Sequence, residues 1–193
     1  MCIRDSYIQS NIQVLKILAT FTSRAEIHPY SIDESFLDVT ESLDYYFPDE
    51  TDYYKKMDLM AQKIQRTLYY QTGLYVTIGM GDNPLLAKLA TDNYAKHSQN
   101  MRALIRYEDV EEKVWTIEEM TDFWGISKRT KRNFEKIGIY SIRELANADP
   151  DMIKREMKTI GLQQFFHANG IDETSIHDHY QKASTSFGNS PIL

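Results

Sequence analysis

Two adjacent acids, Asp33 and Glu34, have the residue types and spacing that could hold a metal ion. In a regular strand, neighbouring side chains point to opposite faces, so two adjacent acids could not share an ion there. At a hairpin turn or bulge both carboxylates can converge, and paired carboxylates are what the hard cation Mg²⁺ requires. Such a pair, holding metal against a triphosphate, is the arrangement used in two-metal phosphoryl transfer. The alternative is a solvated turn, because acids favour turns in any case.

The second set of charged residues is Lys88, Asp92 and Lys96, which follow one another at intervals of four. On a helix this spacing places them side by side, so a ladder of surface ion pairs explains all three. The nearby Gly79 and Gly81 do not form a phosphate-binding Walker loop, because no Gly-Lys-Ser/Thr follows them.

A third feature is a basic segment in an acidic chain. The 193 residues carry a net charge of −6, yet residues 124–143 contain six basic residues and a single acid, Glu135. A protein that touches phosphate in one place can have this distribution, and a solvated helix face can have it equally well. The basic residues are Lys128, Arg129, Lys131, Arg132, Lys136 and Arg143.

The elements that must position these residues alternate between helix and strand. Apolar residues at intervals of three and four predict an amphipathic helix over residues 7–24, with a stripe of Ile8, Ile12, Leu15, Leu18 and Phe21. Residues 25–30 and 36–40 predict two strands around a turn, and residues 41–52 a polar loop. A second helix ends near residue 70, a strand covers 74–80, a helix starts at Pro84 and runs to about residue 96, and a strand covers 102–106.

This order predicts an α+β fold, a mixed or antiparallel sheet with helices packed on one face. After residue 107 the pattern is helical and short-segmented, so we expect a small all-helical domain to follow. The polar tail from residue 177 is typical of a linker. We expect the turn at residues 31–34 to be the tip of a hairpin, with both acids on one side of the sheet, facing the start of the helix over residues 83–96.

Composition is that of a globular protein, with 42% hydrophobic and 26% charged residues. No run of ~18 apolar residues and no signal peptide are visible, which predicts a cytoplasmic protein without a membrane partner. The single cysteine, Cys2, excludes an internal disulfide and a cysteine-rich zinc site.

Four motifs in order resemble Y-family translesion DNA polymerases, the UmuC/DinB-like ImpB/MucB/SamB group. Residues 30–40, Tyr-Ser-Ile-Asp-Glu-Ser-Phe-Leu-Asp-Val-Thr, resemble the palm motif, and residues 77–92 with 95–96 resemble the strand–loop–helix segment that follows it. Residues 124–127, with Phe134 and 137–139, are similar to the helix-hairpin-helix of the thumb. Residues 186–190, Ser-Phe-Gly-Asn-Ser, resemble the start of the DNA-binding little finger. One departure is Pro84, where the family often has a lysine.

The resemblance implies a role for each matching residue. Asp33 would bridge two Mg²⁺ ions and Glu34 would hold the catalytic one, while Lys96 and Lys88 would meet the triphosphate of the incoming deoxynucleotide. In the thumb, glycine backbone, helix N-terminal amides and basic side chains would hold primer–template DNA by its phosphates, without reading its sequence. These thumb residues are Gly125, Ser127, Lys128, Arg129, Lys131, Arg132 and Gly138.

The resemblance also divides the chain into regions. Residues 7–110 would be palm, preceded by the last helix of the fingers, 111–175 thumb, and 176–193 linker and start of the little finger; residues 1–6 match nothing and look like a sequence scar. The family's first strand with its Asp-x-Asp motif and the fingers have no counterpart here. We therefore expect an internal fragment of a DNA-repair and SOS-response polymerase, inactive by itself, whose parent meets a sliding clamp through a region beyond residue 193.

Two alternatives remain open from the sequence. A nucleotide cyclase uses a similar sheet and paired acids, but its hairpin is glycine-rich before the acids, and a helix-hairpin-helix would be unexplained. A non-catalytic DNA-binding module on a palm scaffold is the other, because only two of the three expected carboxylates are visible.

Overall fold

The computed structural model describes residues 3–177, and the motif at residues 186–190 lies outside the described residues. The α+β class is confirmed. In chain order the helices are α1 Ile3–Leu18, α2 Thr40–Tyr46, α3 Tyr53–Thr72, α4 Pro84–Asn93, α5 Lys128–Lys136, α6 Ile142–Ala146 and α7 Pro150–Ala168. The strands are β1 Ile27–Pro29, β2 Ser35–Leu37, β3 Ile78–Gly81 and β4 Arg102–Ile105.

The described strands form two separate pairs, and the prediction of a single sheet is wrong. β1 and β2 are an antiparallel hairpin in which Pro29 faces Ser35, whereas β3 and β4 run parallel, with Ile78 opposite Arg102. Parallel neighbours need a crossover, which α4 provides between β3 and β4. Strand periodicity does not reveal pairing partners, so the sequence could not distinguish one sheet from two pairs.

The expectation of helices on only one face is also wrong for the β3–β4 pair. A Cβ at Gly79 or Gly81 would meet the backbone of α4, so these glycines face that helix. Their neighbour Ile78 points the other way and packs against a cluster formed by α1, α2 and α3. The buried members of this cluster are Ile17, Leu18, Phe21, Leu43, Met60, Ile64 and Leu68.

Side-chain caps fix where the main helices begin. The Asn83 side chain accepts a hydrogen bond from the Leu86 amide at 2.8 Å, and Pro84 occupies the first turn of α4, as the sequence predicts. Asp52 caps α3 in the same way, and Ser127 caps α5. At the other end of α3, Gly73 adopts a left-handed conformation with φ of 75° and ends the helix.

Three predicted elements differ clearly from those observed, one of them the strand over residues 74–80, which begins only at Ile78. The polar stretch after β2 is a loop in the prediction but begins with helix α2, because Leu43 is buried against α1 and α3 and the Tyr46 hydroxyl donates to the Thr20 carbonyl oxygen at 2.6 Å. The first helix ends at Leu18 rather than near residue 24, and only the C-terminal part of its apolar stripe is buried. Ile8 and Ile12 of that stripe are exposed.

The largest hydrophobic cluster joins α4 to the helical C-terminal part. It contains Leu85, Leu86, Leu89 and Ala90 of α4 together with buried residues from Val110 to Ala168. Polar contacts also connect the start of α4 with the residues after α7. The Asp172 carboxylate accepts a hydrogen bond from the Leu85 amide at 3.0 Å, and the Asn83 side chain donates to the Gly170 carbonyl at 2.8 Å. No helix among residues 3–177 is long and apolar enough to cross a membrane.

Candidate metal-binding and nucleic-acid-binding site

The turn that carries the two acids lies at the tip of the β1–β2 hairpin. The amides of Tyr30 and Ser31 both donate to the Glu34 carbonyl oxygen, at 2.9 and 3.0 Å, and close the turn. The Ser31 hydroxyl donates to Asp33 Oδ1 at 2.7 Å, and Asn11 of α1 donates to the Ile32 carbonyl at 2.6 Å. These contacts fix a hairpin tip, as the sequence predicts, with helix α1 as its support.

The two carboxylates have different surroundings. Asp33 is exposed, whereas Glu34 is half-buried and turned towards α4, where its Oε1 lies 2.6 Å from Lys88 Nζ. Glu34 thus faces α4 as expected. The direction of the Asp33 carboxylate relative to Glu34 stays a prediction.

Lys88, Asp92 and Lys96 form the ladder that their spacing predicts. Lys88 Nζ lies 3.0 Å from one oxygen of Asp92, and Lys96 Nζ lies 2.6 Å from the other. The 3₁₀ turn Ala95–His97 carries Lys96 just beyond the end of α4. Glu34 extends this ladder to the hairpin, so that negative and positive groups alternate from the acid turn to Lys96.

The protonation of this ladder is set by its ion pairs. Burial acts to lower the pKa of the Lys88 ammonium, but hydrogen bonds to Glu34 and Asp92 outweigh it and raise that pKa. Burial likewise acts to raise the pKa of Asp92, and hydrogen bonds from Lys96 and Lys88 reverse the effect and lower it. At neutral pH, Lys88 and Asp92 are therefore both charged.

An aromatic cluster joins the acid turn to the helical part, and no pattern in the sequence predicts it. The Tyr30 ring lies 5.6 Å from the Phe36 ring and 6.0 Å from the Trp124 ring, centroid to centroid. Trp124 Nε1 also donates to the Tyr30 hydroxyl at 3.4 Å. These residues are 94 positions apart, a separation at which no local periodicity operates.

The predicted thumb residues lie around α5 and the turn that follows it. Gly125 and Gly138 have φ of 90° and 81°, the left-handed conformations that glycine adopts without strain. The Ser127 hydroxyl caps α5 and accepts from the Thr130 amide at 3.2 Å. After α5, a turn at residues 137–141 leads directly into α6.

The basic residues of α5 are not equivalent. Lys131 is bound to Glu119, with 2.8 Å between Nζ and Oε2, whereas Lys128, Arg129 and Arg132 are exposed. Among residues 3–177, no ion pair connects the α5 cations to Asp33 or Glu34. Trp124, which precedes α5 in the chain, contacts Tyr30 beside the acid turn.

An open groove separates the lysine ladder from the start of α5. Its volume is about 760 Å³, and its walls include Asp92, Lys96, Trp124, Gly125 and Ser127. The groove therefore brings a residue with a predicted nucleotide role, Lys96, opposite two residues with predicted DNA roles.

The donor atoms of the acid turn fit Mg²⁺ in type. Two carboxylates supply the hard oxygen ligands that this cation takes, and Asp33 is open to solvent. Within the part of the chain that the structure describes, no three His, Cys, Asp or Glu side chains form a group that could hold a metal. The turn can thus contribute two ligands, of which Glu34 is already bound to Lys88.

Comparison with known proteins finds one matching family model and several similar proteins. The model of the impB/mucB/samB family matches residues 4–92. The putative UV-damage repair protein UvrX of Bacillus subtilis is 35% identical over 187 residues, which are 97% of this chain and 42% of UvrX. DNA polymerase IV 2 of the same organism is 32% identical over 97% of this chain and 43% of its own length.

The fold is also shared with solved structures. A Dbh ternary complex superimposes with a TM-score of 0.71 at 22% sequence identity, covering 90% of this chain and 48% of the Dbh chain. The chain thus spans less than half the length of UvrX and DNA polymerase IV 2. On these matches, residues 4–92 resemble the impB/mucB/samB family, and nearly the whole chain is similar to UvrX and DNA polymerase IV 2.

Proposed function

We propose that this chain forms part of the active site and the DNA-binding thumb of a translesion DNA polymerase. The reaction is transfer of a nucleotide from a deoxynucleoside triphosphate to the 3′ hydroxyl of a primer, with pyrophosphate as the leaving group. The observation that carries the proposal is that Glu34 of the palm-like motif lies against the α4 lysine ladder, 2.6 Å from Lys88. UvrX and DNA polymerase IV 2 are more than twice the matched length, so the activity is proposed for the longer protein.

Asp33 and Glu34 would hold Mg²⁺ in this enzyme. Asp33 is exposed and would bridge two ions, and Glu34 would hold the catalytic ion, with further ligands from outside the described residues. When bound, the ions would supply charge neutralisation at the triphosphate and activation of the primer hydroxyl. The chain's own contribution is to fix the two carboxylates, through Ser31 at Asp33 and Lys88 at Glu34.

Lys96 is the residue that we propose for the triphosphate. Its side chain is 50% exposed and lines the groove beside Asp92. An exposed ammonium can exchange a carboxylate partner for a phosphate at little cost, because its ion pair is screened by water. Lys88, with its side chain 12% exposed, would act on the triphosphate indirectly, through its ion pairs with Glu34 and Asp92.

The α5 region would hold the primer–template duplex by its phosphates. The exposed cations Lys128, Arg129 and Arg132 supply charge, and the turn at Gly138 leaves open space for a backbone approach. We propose that α5, this turn and α6 form the helix-hairpin-helix. Phosphate contacts of this kind position DNA without reading its sequence, as copying of arbitrary templates requires.

The division into palm (7–110), thumb (111–175) and linker with little finger (176–193) is proposed on the same resemblance. The last strand within residues 3–177, β4, ends at Ile105, which supports a change of architecture near residue 110. A sliding-clamp contact would involve sequence beyond residue 193. The cyclase alternative finds no support, because the matched family and relatives are DNA-repair proteins and polymerases.

The test is primer extension by a chimera. Residues 7–175 replace the matching segment of Bacillus subtilis DNA polymerase IV 2, and extension of a primed template is compared among variants. We expect synthesis by the chimera and a loss of more than about a hundredfold in Asp33→Asn and Glu34→Gln, since even the loss of a residue that only hydrogen-bonds to a metal ligand costs about 10–100-fold. The control is Asp49→Asn, an exposed acid away from the hairpin tip.

Two results would contradict the proposal. One is full extension by Asp33→Asn, which would mean that this carboxylate is not a metal ligand. The other is a chimera that binds DNA but extends nothing, which would favour a non-catalytic DNA-binding module on a palm scaffold.

A further inference from the structure

Lys88 has the least exposed ammonium of the ladder and the largest number of charged partners. Its Nζ lies 2.6 Å from Glu34 Oε1 and 3.0 Å from Asp92 Oδ2, with the side chain 12% exposed. The same ammonium lies 5.9 Å from the centroid of the Tyr30 ring. Three neighbours, two of them anionic, therefore fix its position.

Lys96 provides the contrast within the same ladder. Among residues 3–177 its one ion-pair partner is Asp92, at 2.6 Å, and its side chain is 50% exposed. Both lysines belong to the same i,i+4 series and share Asp92 as a partner, but Lys88 alone of the two reaches Glu34. Lys88 is therefore bound to the acid turn, whereas Lys96 faces the groove.

We propose that Lys88 is a positioning residue that acts as the resident counter-ion of Glu34. Its ammonium holds the carboxylate against α4 while no divalent cation is bound, and it gives up Glu34, but not Asp92, when one binds. This inference rests on the proposed function, because it assumes that the turn is the metal site.

The physical basis is competition for one carboxylate. Glu34 Oε1 already accepts a charge-assisted hydrogen bond, and a divalent cation at the same oxygen would lie within a few ångströms of the ammonium. Like charges at that separation repel, and a half-buried site screens them less than water does. Lys88 therefore weakens divalent-ion binding at the turn and keeps Glu34 oriented in the meantime.

Because Lys88 has Asp92 as a second anionic partner, the loss of Glu34 to a divalent cation costs it little free energy. When Glu34 is taken by a divalent cation, Lys88 still has Asp92, so that its ammonium is not left buried without an anion. Lys96 is bound to the opposite oxygen of Asp92, and this contact does not depend on Glu34. The ladder thus has two arrangements that differ in one ion pair.

The test measures Mn²⁺ binding to the 193-residue chain, with water-proton relaxation as the readout. Lys88→Met is expected to tighten Mn²⁺ binding about tenfold, which corresponds to about 1.4 kcal/mol. Lys88→Arg keeps the positive charge and is expected to stay near the wild-type affinity. Lys96→Met is the matched control and is expected to change the affinity less than about twofold, since Lys96 does not contact Glu34.

The variants Glu34→Gln and Asp33→Asn distinguish a wrong counter-ion role for Lys88 from a wrong metal site. If Glu34→Gln weakens Mn²⁺ binding while Lys88→Met leaves it unchanged, the counter-ion role is wrong and the metal site stands. If Glu34→Gln and Asp33→Asn both leave Mn²⁺ binding unchanged, the metal site itself is wrong, and the inference with it. Circular dichroism checks each variant's fold, and if Lys88→Met does not fold, Lys88→Gln gives the same comparison while still able to donate to Asp92.

Discussion

Asp33 and Glu34 are neighbours in the chain, yet their carboxylates are held by different parts of the molecule. Asp33 accepts from Ser31 within its own turn, whereas Glu34 is bound to Lys88 on α4. The position of the two acids in a hairpin turn is predictable, because an Asp-Glu pair flanked by strand residues favours a hairpin tip. The pairing of Lys88 with Asp92 is predictable from its spacing too, but the pairing with Glu34, 54 positions away, depends on how the hairpin packs against α4.

A buried histidine should make stability depend on pH. His167 is buried, its Nε2 lies 3.8 Å from Asp172 Oδ1, and burial lowers the pKa of its imidazole despite the nearby carboxylate. The unfolded chain then binds this proton more readily than the folded one, so the free energy of unfolding falls as pH drops below the unfolded value of ~6.5. One such group gives a slope of at most about 1.4 kcal/mol per pH unit.

Urea denaturation at pH 7.5, 6.5 and 5.5 measures this dependence. His167→Gln should flatten the slope between pH 7.5 and 5.5, whereas His97→Gln, at an exposed position, should leave it in place. An unchanged slope in His167→Gln would show that other groups set the pH dependence in this range.

At the scale of elements, the contact between β3 and α4 depends on two glycines that face the helix. A Cβ at Gly79 would lie 2.2 Å from the Ala87 carbonyl oxygen and 2.3 Å from the Thr91 amide nitrogen, both backbone atoms. We expect Gly79→Ala to destabilise the protein by several kcal/mol or to prevent folding, because neither backbone can yield.

Gly138→Ala is the comparison at a position with open space. No atom of the described part of the chain lies within 4 Å of a Cβ there, and the cost is only that of a left-handed alanine at φ of 81°, about 1–2 kcal/mol. Thermal unfolding of both variants checks the order, with about 2–4 °C expected per kcal/mol for a domain of this size. Equal melting temperatures for the two variants would contradict the close packing of β3 on α4.

Helix α5 is the element expected to bind DNA. Replacement of Lys128, Arg129 and Arg132 by alanine should weaken binding of duplex DNA without sequence preference and reduce the salt dependence. Each lost phosphate contact removes about 0.9 from the slope of log K against log salt concentration. Lys131→Ala should have the smaller effect, because Glu119 already neutralises this lysine.

Fluorescence anisotropy at several salt concentrations gives these slopes directly. If Lys131→Ala lowers the slope as much as Arg132→Ala does, the ion pair with Glu119 does not persist on DNA. If the triple variant binds as the wild type does, the basic segment is only a solvated face.

The elements themselves were predictable where capping and periodicity coincide, as at the start of α4. Helix α2 was not, because its seven residues contain no apolar repeat and only Leu43 among them is buried. Contacts to α1 and α3 stabilise it, and these become visible only when the chain is folded.

At the scale of the whole molecule, α4 belongs to both parts. Its leucines pack into the core that includes the helical C-terminal region, while Lys88 holds the acid turn. The aromatic contact between Tyr30 and Trp124 joins the same two parts. The hairpin and the helical C-terminal region are therefore joined both through α4 and through Trp124, an arrangement that no single motif in the sequence contains.

The chain alone should not extend a primer. Its acid turn offers two carboxylates, one of them paired with Lys88, and Mg²⁺ gives up its water reluctantly to so few anionic ligands. Incubation of residues 1–193 with primed template, deoxynucleotides and Mg²⁺ or Mn²⁺ should leave the primer unchanged on a denaturing gel. Robust synthesis would show that the active site lies elsewhere in the chain.

The most direct test of the central claim, that the hairpin tip is the metal site, is a map of Mn²⁺ binding by nuclear magnetic resonance. Paramagnetic broadening of backbone amide signals is recorded on the 193-residue chain as Mn²⁺ is added. We predict that the amides of residues 31–35 broaden first, followed by those around Lys88 on the neighbouring helix α4, and that Asp33→Asn with Glu34→Gln abolishes this pattern. Broadening that begins at other acidic residues and spares the hairpin tip would contradict the account.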